Sequence, residues 1–390
     1  MQNSARCSHV PLCGGCSRQQ IPYSLQLEQK QAFVAELFAP YIQTGTLIHP
    51  ILASPSPWAY RNKMEFSFSQ NKAGDHFLGL MLAKGRGRVI DLQECHLVQP
   101  WFVDVLTAVR EWWKQSGLKA YHFYKDTGSL RTLTLREGQR TGDKMVMLTV
   151  SGNPEFAIQE PQLKSFLAAI PPSENLSVFV RVHQIAKGSP TQFYELHVQG
   201  PDHITESLTI QGRPLLFKIS PTSFFQPNTA QAEVLYSRAL DMLALSPEAL
   251  VYDLYCGTGT LGMAIALKAK QVIGIELNPH AVFDADANRE LNQITNFKIL
   301  CGDVGTLLAK EAEADAVVLD PPRSGLDPLA LQHVIRLGAK KILYISCNPT
   351  TQAQNIKVLT EAGYRLLELQ PVDQFPHTPH IENIALLEKV

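Results

Sequence analysis

LVYDLYCGTGT, the stretch Leu250–Thr260, decides the fold class of the C-terminal half of the chain. Its first five residues form an apolar run of strand length, and glycines follow soon after. Glycine allows a tight turn and lets the backbone approach a ligand closely, and the helix behind such a turn favours a carboxylate or a phosphate. The stretch therefore predicts a strand, a ligand-binding turn and a helix.

The same alternation continues towards the C-terminus. Four more short apolar runs precede a helical or loop stretch: VIGI (272–275), FKIL (297–300), AVVLD (316–320) and KILYIS (341–346). Buried strands separated by helices are typical of a doubly wound, mostly parallel sheet. We therefore predict a Rossmann-like α/β domain over residues 213–390.

Two kinds of nucleotide ligand fit this domain. The chain matches G-x-G-x-x-G, a pattern that dinucleotide and SAM sites share, at Gly257, Gly259 and Gly262. Glu276, at the end of the next strand, is placed to hold ribose hydroxyls. Two acids favour SAM: Asp253 just before the glycines, and Asp320, which begins a DPPR motif. A nicotinamide-dependent dehydrogenase is the alternative.

A cysteine and a glutamate are further candidates. Cys347 follows KILYIS, so we expect it at the same sheet edge as Glu276 and Asp320. A thiolate can add to C6 of a pyrimidine and make C5 nucleophilic towards a methyl donor, but the adduct must then lose its C5 proton to a base. Glu382 is the candidate base. Taken separately, a buried thiol and a solvated carboxylate would be the ordinary explanations.

The remaining cysteines are distributed unevenly. Four of them could ligate a metal: Cys7, Cys13, Cys16 and Cys95. Four thiolates can hold zinc or an iron–sulfur cluster, and the spacing alone leaves the metal undecided. Two more follow strands, and we expect them to be small buried packing residues: Cys256 and Cys301.

The middle of the chain has a different pattern. Residues 23–41 predict an amphipathic helix whose buried face carries Leu27, Val34, Leu37, Phe38 and Tyr41. From about residue 50 to 212, alternating and β-branched runs predict a mostly antiparallel α+β domain, with helices near 100–116 and 159–170.

Charge and hydropathy limit the functional classes. The 390 residues carry a formal net charge of −1, which is weak for a nucleic-acid-binding protein, so RNA contacts must depend on local patches. The candidates are Tyr60–Lys63 and Lys84–Arg88, with Tyr60 or Phe224 available to stack a base. No apolar run reaches the roughly 18 residues of a membrane span, and the N-terminus lacks a signal peptide. We therefore expect no membrane partner and a cytoplasmic location.

Five motifs occur in the order typical of one enzyme family: SPTSFFQPN (220–228), DLYCGTG (253–259), DPPR (320–323), SCNP (346–349) and FPHTPHIE (375–382). On these motifs the chain resembles the RNA uracil-C5 methyltransferases, SAM-dependent bacterial enzymes that act on ribosomal or transfer RNA. The resemblance implies that Cys347 is the nucleophile and Glu382 the base that removes the C5 proton of a flipped uridine. It also implies SAM contacts from Gln226, Tyr255, Glu276 and Asp320.

The resemblance further implies a [4Fe-4S] cluster on the four cysteines above. The ribosomal-RNA branch of the family carries this cluster and the transfer-RNA branch lacks it, so 23S rRNA is the expected substrate. Because Cys7 lies so near the start of the chain, we expect the N-terminal TRAM domain of many relatives to be missing. A transfer-RNA methyltransferase and a non-catalytic RNA-binding protein are the alternatives.

The expected organisation is a monomer with four parts. They are a cluster-binding segment (1–20), a helical segment that packs on the catalytic domain (21–49), a central RNA-contact domain (50–212) and a SAM-dependent methyltransferase domain (213–390).

Overall fold

The computed structural model describes residues 6–85, 87–185, 190–309, 311 and 313–390. Arg86, in one of the basic patches named above, lies outside the described residues. The chain divides into two compact units, Met1–Ile21 with Ser56–Glu206 and Pro22–Pro55 with Ser207–Val390. Over the described residues, no helix is both long enough and apolar enough to cross a membrane.

The α-helices, in chain order, are α1 (Tyr23–Phe38), α2 (Pro100–Ser116), α3 (Glu160–Ala169), α4 (Thr229–Leu243), α5 (Thr260–Ala266), α6 (Pro279–Leu291), α7 (Val304–Leu308), α8 (Pro328–Leu337) and α9 (Pro349–Glu361). The strands are β1 (Leu47–Ile48), β2 (Lys63–Gln70), β3 (His76–Gly79), β4 (Leu130–Glu137), β5 (Lys144–Ser151), β6 (Leu176–Gln184), β7 (Gln192–Gln199), β8 (Ile204–Ile210), β9 (Arg213–Ile219), β10 (Leu250–Leu254), β11 (Gln271–Glu276), β12 (Phe297–Cys301), β13 (Ala316–Leu319), β14 (Lys341–Ser346), β15 (Tyr364–Val372) and β16 (Glu382–Lys389). Short 3₁₀ turns occupy Ala39–Tyr41 and Pro154–Phe156.

The first unit is built on a six-stranded sheet in the order β3-β2-β4-β5-β6-β7. β5 and β6 pair in parallel and the other neighbours are antiparallel. Because side chains alternate along a strand, Met64, Phe66 and Phe68 share one buried face of β2. They join a core to which α2 contributes Phe102 and Trp113. The predicted mostly antiparallel α+β fold is confirmed.

The second unit contains an eight-stranded sheet in the order β1-β15-β16-β14-β13-β10-β11-β12. The five strands β10 to β14 run parallel, and β16 pairs antiparallel with both β14 and β15. The chain leaves β10 towards β11 on one side and returns to β13 on the other. This strand order places a crevice at the carboxyl ends of β10 and β13, where open α/β sheets bind ligands. The predicted doubly wound, mostly parallel sheet is confirmed.

Helix α1 belongs to the second unit, and its buried face differs from the predicted one. The buried residues are Gln26, Lys30, Val34 and Phe38, which follow one another at helical spacing. Leu27 is only partly buried. The prediction assigned the face by apolar residues alone, whereas two polar side chains take the first two buried positions. Val34 and Phe38 join the core beneath the sheet.

Candidate active site

The glycine-rich turn after β10 has the geometry of a ligand cradle. Gly257 and Gly259 have positive φ angles of 53° and 77°. Gly262 is required by space, since a Cβ there would lie 2.6 Å from Asp253 Oδ2. The Glu276 carboxylate accepts hydrogen bonds from Gly257 N at 3.0 Å and from Asn278 N at 2.8 Å. A carboxylate at the tip of β11 is therefore fixed beside an open turn.

Two acids lie at the carboxyl ends of neighbouring parallel strands. Asp253, on β10, is 1% exposed, and burial together with the charge of Asp320 raises its pKa to about 8. Burial likewise raises the pKa of Asp320 to about 7. Asp253 Oδ2 has no hydrogen-bond partner within the described chain, although a backbone N–H of Gly262 acts on the same carboxyl. Buried acids of this kind fit a cationic ligand such as SAM, whose positive charge would favour their ionised forms.

Gln226 and Tyr255 lie in the same unit as these acids. Gln226 is 5% exposed, and its Oε1 accepts a hydrogen bond from Gln374 Nε2 at 3.2 Å. Tyr236 is buried, and its hydroxyl forms a hydrogen bond with Gln226. Burial and the charge of Asp320 raise the pKa of that hydroxyl, so Gln226 lies near the crevice. Tyr255 follows β10 with a positive φ of 63°. Burial, followed by the charges of Asp327 and Asp303, raises the pKa of its hydroxyl. Of the other two side chains expected to contact SAM, Glu276 ends β11 and Asp320 follows β13, and these two strands flank β10.

Cys347 and Glu382 are brought together by the pairing of β14 with β16. Ser346 and Asn383 are the last cross-strand partners of β14 and β16. Cys347 directly follows this pair on one strand, and Glu382 directly precedes it on the other. Strand pairing therefore brings two residues that are separated in sequence to the same end of the sheet.

The charges around Cys347 disfavour its thiolate in the ligand-free protein. Burial, together with the carboxylates of Glu382 and Asp320, raises the pKa of the thiol to about 11. Burial also raises the pKa of Glu382, which is 3% exposed, well above its usual range. Arg323 lowers the pKa of both groups. The Glu382 carboxylate thus opposes ionisation of the Cys347 thiol, whereas the exposed Arg323 guanidinium favours the ionised form of both groups.

Arg323 is a functional candidate that the sequence patterns did not single out beyond its place in DPPR. Its backbone carbonyl accepts hydrogen bonds from Asn348 Nδ2 at 2.9 Å and Thr351 Oγ1 at 3.2 Å, which holds the DPPR turn against the turn after Cys347. Its guanidinium lies 3.4 Å from His380 Nδ1. The sequence signal that could have identified Arg323 was a cationic side chain directly after the Asp-Pro-Pro turn at this sheet edge.

Two cysteines expected to pack in the core behave differently. Cys301 is exposed, so that expectation was wrong for it, because β12 ends at the sheet surface. Cys256 is partly buried, and its Sγ lies against the position of a Gly274 Cβ. Asp303 caps α7, its Oδ1 accepting from Thr306 N at 2.8 Å.

The four N-terminal candidate ligands lie in the first unit. Cys7 and Cys13 are buried and Cys16 and Cys95 are partly buried, all as free thiols. Burial, with smaller effects from the charges of Cys95, Cys13 and Cys7, raises the pKa of Cys16 to about 12. Gly15 N donates to Cys13 Sγ at 3.4 Å and Gln19 Nε2 to Cys16 Sγ at 3.1 Å. Nevertheless, among the described residues no three His, Cys, Asp or Glu side chains form a metal-holding group.

The expected RNA patches are only partly accessible. Tyr60 is 2% exposed, so its ring cannot stack a base in this conformation, because the side chain is packed inward. Asn62 is also buried, and burial lowers the pKa of Lys63 to about 8. Phe224, in the second unit, is 67% exposed and remains available for stacking.

The chain is similar to known RNA methyltransferases. The family model described as tRNA (Uracil-5-)-methyltransferase matches residues 175–303 and 304–390. An uncharacterized RNA methyltransferase of Protochlamydia amoebophila is 51% identical, over 98% of this chain and 90% of that protein. Another from Chlamydia trachomatis is 39% identical, over 98% of both.

A solved structure extends the likeness to three dimensions. The Pyrococcus abyssi tRNA (uracil-54, C5)-methyltransferase, in complex with S-adenosyl-L-homocysteine, is 26% identical with a TM-score of 0.75. The match covers 97% of this chain and 86% of that one. The family model spans more than half of the chain and the relatives nearly all of it, so the chain belongs to the RNA (uracil-5-)-methyltransferase family and is a SAM-dependent RNA methyltransferase.

Proposed function

We propose that the protein methylates C5 of a uridine in RNA through a covalent adduct between Cys347 and C6 of the base. The observation that carries the proposal is that Cys347 and Glu382 flank the last pair of β14 and β16, close enough for the Glu382 charge to raise the pKa of the Cys347 thiol. A nucleophile and a separate base at adjacent positions are what this reaction requires. Family membership supplies the reaction class.

Each side chain has a defined task. The Cys347 thiolate adds to C6 of the uracil ring, and the ring electrons shift to make C5 a nucleophile. C5 then forms a bond to the methyl carbon that SAM would supply, the sulfur–methyl bond breaks, and S-adenosyl-L-homocysteine is the leaving group. Glu382 then takes the proton from C5, the C5–C6 double bond re-forms, and the thiolate leaves. A raised pKa makes the Glu382 carboxylate a stronger base once it is ionised.

The residues that hold SAM are Gln226, Tyr255, Glu276 and Asp320. Support comes from their positions around the β10 turn and at the ends of β11 and β13. Glu276 is proposed to bind the ribose hydroxyls, since its carboxylate stands at the tip of the neighbouring strand. Isothermal titration of SAM into Glu276→Ala tests this assignment, and a matched control is the exposed Glu361→Ala. Unchanged SAM affinity in Glu276→Ala would remove the residue from the site.

The proposed substrate is 23S rRNA, modified by a monomer in the cytoplasm. The support for ribosomal RNA is the set of four cysteines, which the resemblance links to that branch of the family. The uridine must be flipped out of its stack to reach Cys347 in the crevice. Mass-spectrometric mapping of 5-methyluridine in rRNA and tRNA, from cells with and without the protein, tests the choice. Loss confined to tRNA would contradict it.

Transfer RNA is the second candidate, and a specific comparison favours it. The Pyrococcus abyssi enzyme, which matches 97% of this chain, is named as acting on uracil 54 of tRNA. The mapping experiment decides between the two substrates. A cell in which neither RNA loses 5-methyluridine would contradict both substrate assignments.

We further propose that Cys7, Cys13, Cys16 and Cys95 hold a [4Fe-4S] cluster. Their thiols influence one another's pKa, and N–H groups already point at two of the sulfurs. Four cysteines are the ligand set for such a cluster. Binding of the cluster would require these side chains to move together, because among the described residues they do not form a metal-holding group. Anaerobic purification followed by iron and acid-labile sulfide analysis tests this, with Cys16→Ser expected to lose both and Cys301→Ser to keep them. Zinc without sulfide would contradict the proposal.

A further inference from the structure

The chain segment that leads into Glu382 is held by an ion pair from α1. Lys30 Nζ lies 2.5 Å from Asp373 Oδ1, and the two side chains are 1% and 0% exposed. The Tyr23 hydroxyl donates to the other oxygen, Asp373 Oδ2, at 2.8 Å. Both oxygens of a fully buried carboxylate are thus bound by one helix.

The same helix holds the next part of the segment. Lys30 Nζ also donates to the Phe375 carbonyl at 3.1 Å. Gln26, one turn earlier, accepts from His377 N at 3.1 Å, and its Nε2 lies 3.2 Å from His377 Nδ1. His377 has a φ of 63°, a left-handed conformation that is unfavourable for a residue with a Cβ. The amide contacts from Gln26 help to hold that conformation.

The opposite side of the segment is tied to the cofactor crevice. Gln374 Nε2 donates to Gln226 Oε1 at 3.2 Å, and Asn228 Nδ2 donates to the Gln374 carbonyl at 3.2 Å. Residues 373–377 therefore lie between α1 and a candidate SAM contact. Glu382 begins β16 five residues further on.

An ion pair is a costly means of attaching a helix. Removing both charges from water costs more than an apolar pair would, and apolar pairs of similar volume often stabilise a protein as well or better. Val34 and Phe38 already anchor α1 in the core. The ion pair also constrains the orientation of the segment, because Lys30 binds the Asp373 carboxylate and the Phe375 carbonyl two residues further on.

We infer that Lys30 is a positioning residue that acts through Asp373 to hold Glu382 where it can take the C5 proton. The inference rests on the proposed function of Glu382. Lys30 touches neither substrate nor cofactor in the proposed reaction. Its loss should therefore slow the resolution of the covalent adduct and leave SAM binding and adduct formation nearly unchanged.

The main test uses Lys30→Met with Asp373→Leu, which removes both buried charges together and leaves no unpaired one. Full-length protein is mixed with SAM and a uridine-containing RNA, and the covalent complex is followed on denaturing gels. Misplacing a reacting group by about 1 Å can cost roughly 100-fold, so we expect the adduct to persist about 10- to 100-fold longer than in the wild type. If the ion pair has only a structural role, the folded double variant should show the adduct lifetime of the wild type.

A milder variant keeps the test informative if the double variant does not fold. Tyr23→Phe removes one hydrogen bond to Asp373 and keeps the ring, and we expect a several-fold longer adduct lifetime. The matched control is Lys357→Met, because the Lys357 side chain is 64% exposed and its Nζ lies 3.9 Å from Glu361 Oε1. It should match the wild type.

A failure of the inference about Lys30 can be distinguished from a failure of the proposed function. Wild-type methylation and adduct trapping by Glu382→Gln establish that function independently. With both in hand, wild-type adduct lifetimes in Tyr23→Phe and in the folded double variant would overturn the inference about Lys30 alone.

Discussion

Cys347 directly follows, and Glu382 directly precedes, the last cross-strand pair of β14 and β16, Ser346 with Asn383. The thiol follows a strand parallel to its neighbour β13, and the carboxyl begins a strand that runs the other way. This antiparallel insertion brings a residue from near the C-terminus to the crevice that the parallel strands form. The proposed chemistry depends on this one pairing.

Loss of the thiol should abolish methylation without loss of the cofactor site. Cys347→Ala is expected to lower turnover by roughly 10⁴-fold or more, since removing a nucleophile removes the whole covalent pathway. SAM affinity should stay close to that of the wild type, because the proposed SAM contacts are other residues. Transfer of a labelled methyl group to RNA measures the first quantity and calorimetry the second.

The exposed Cys301 provides the matched control, because Cys301→Ala changes another strand-end thiol of the same unit. It should methylate RNA at the wild-type rate. Residual methylation by Cys347→Ala within tenfold of the wild type would refute the nucleophile assignment.

Arg323 should set the pH at which the thiol becomes reactive. The guanidinium lowers the pKa of Cys347, so Arg323→Gln should raise that pKa and reduce the thiolate fraction at any given pH. In solutions well below the pKa, raising the pKa by one pH unit lowers the thiolate fraction about tenfold. The rate of adduct formation, measured by rapid quench across pH, should move to more alkaline values. Arg365→Gln, at a half-exposed surface pair, should leave the profile unchanged.

The buried acids should make the ligand-free protein less stable as pH rises. Asp253 has a folded-state pKa of about 8 against a usual value of 3.8, so the folded protein binds the proton more tightly than the unfolded chain. The stabilisation of the folded state by protonated Asp253 is complete below about pH 4 and is lost as the pH rises towards 8. Thermal unfolding should therefore show Tm falling by several degrees between about pH 5.5 and 8.5.

Asp253→Asn checks the origin of that slope. An amide cannot ionise, so its Tm should fall less over the same interval. Parallel slopes for the variant and the wild type would show that Asp253 does not titrate in this range.

Most of the fold could be predicted because strand signals are local. β10 and β14 coincide with the apolar runs LVYDL and KILYIS, since a buried parallel strand needs nothing but a short apolar run. The strand-end acids Asp253 and Asp320 were found by the same reasoning. Positions at the ends of parallel strands converge whatever the connecting helices do.

Contacts between distant segments could not be predicted from these patterns. Lys30 and Asp373 are 343 positions apart, and a lysine in a helix is normally assigned to the solvent face. Tyr60 illustrates the reverse error, since an aromatic residue beside Arg61 suggested an RNA surface and its ring is packed inward. Both results depend on tertiary packing, which the local pattern of apolar and polar residues cannot predict.

The most direct test of the central claim is the covalent complex formed by Glu382→Gln. The amide cannot take the C5 proton, and the loss of its charge also removes one influence that raises the pKa of Cys347, so the adduct should form and then persist. Incubation with SAM and RNA, a denaturing gel and mass spectrometry of the cross-linked peptide measure it. We predict a stable RNA–protein complex joined through Cys347, and none in the variant that also carries Cys347→Ala. Wild-type turnover by Glu382→Gln, or an adduct on another residue, would contradict the proposed mechanism.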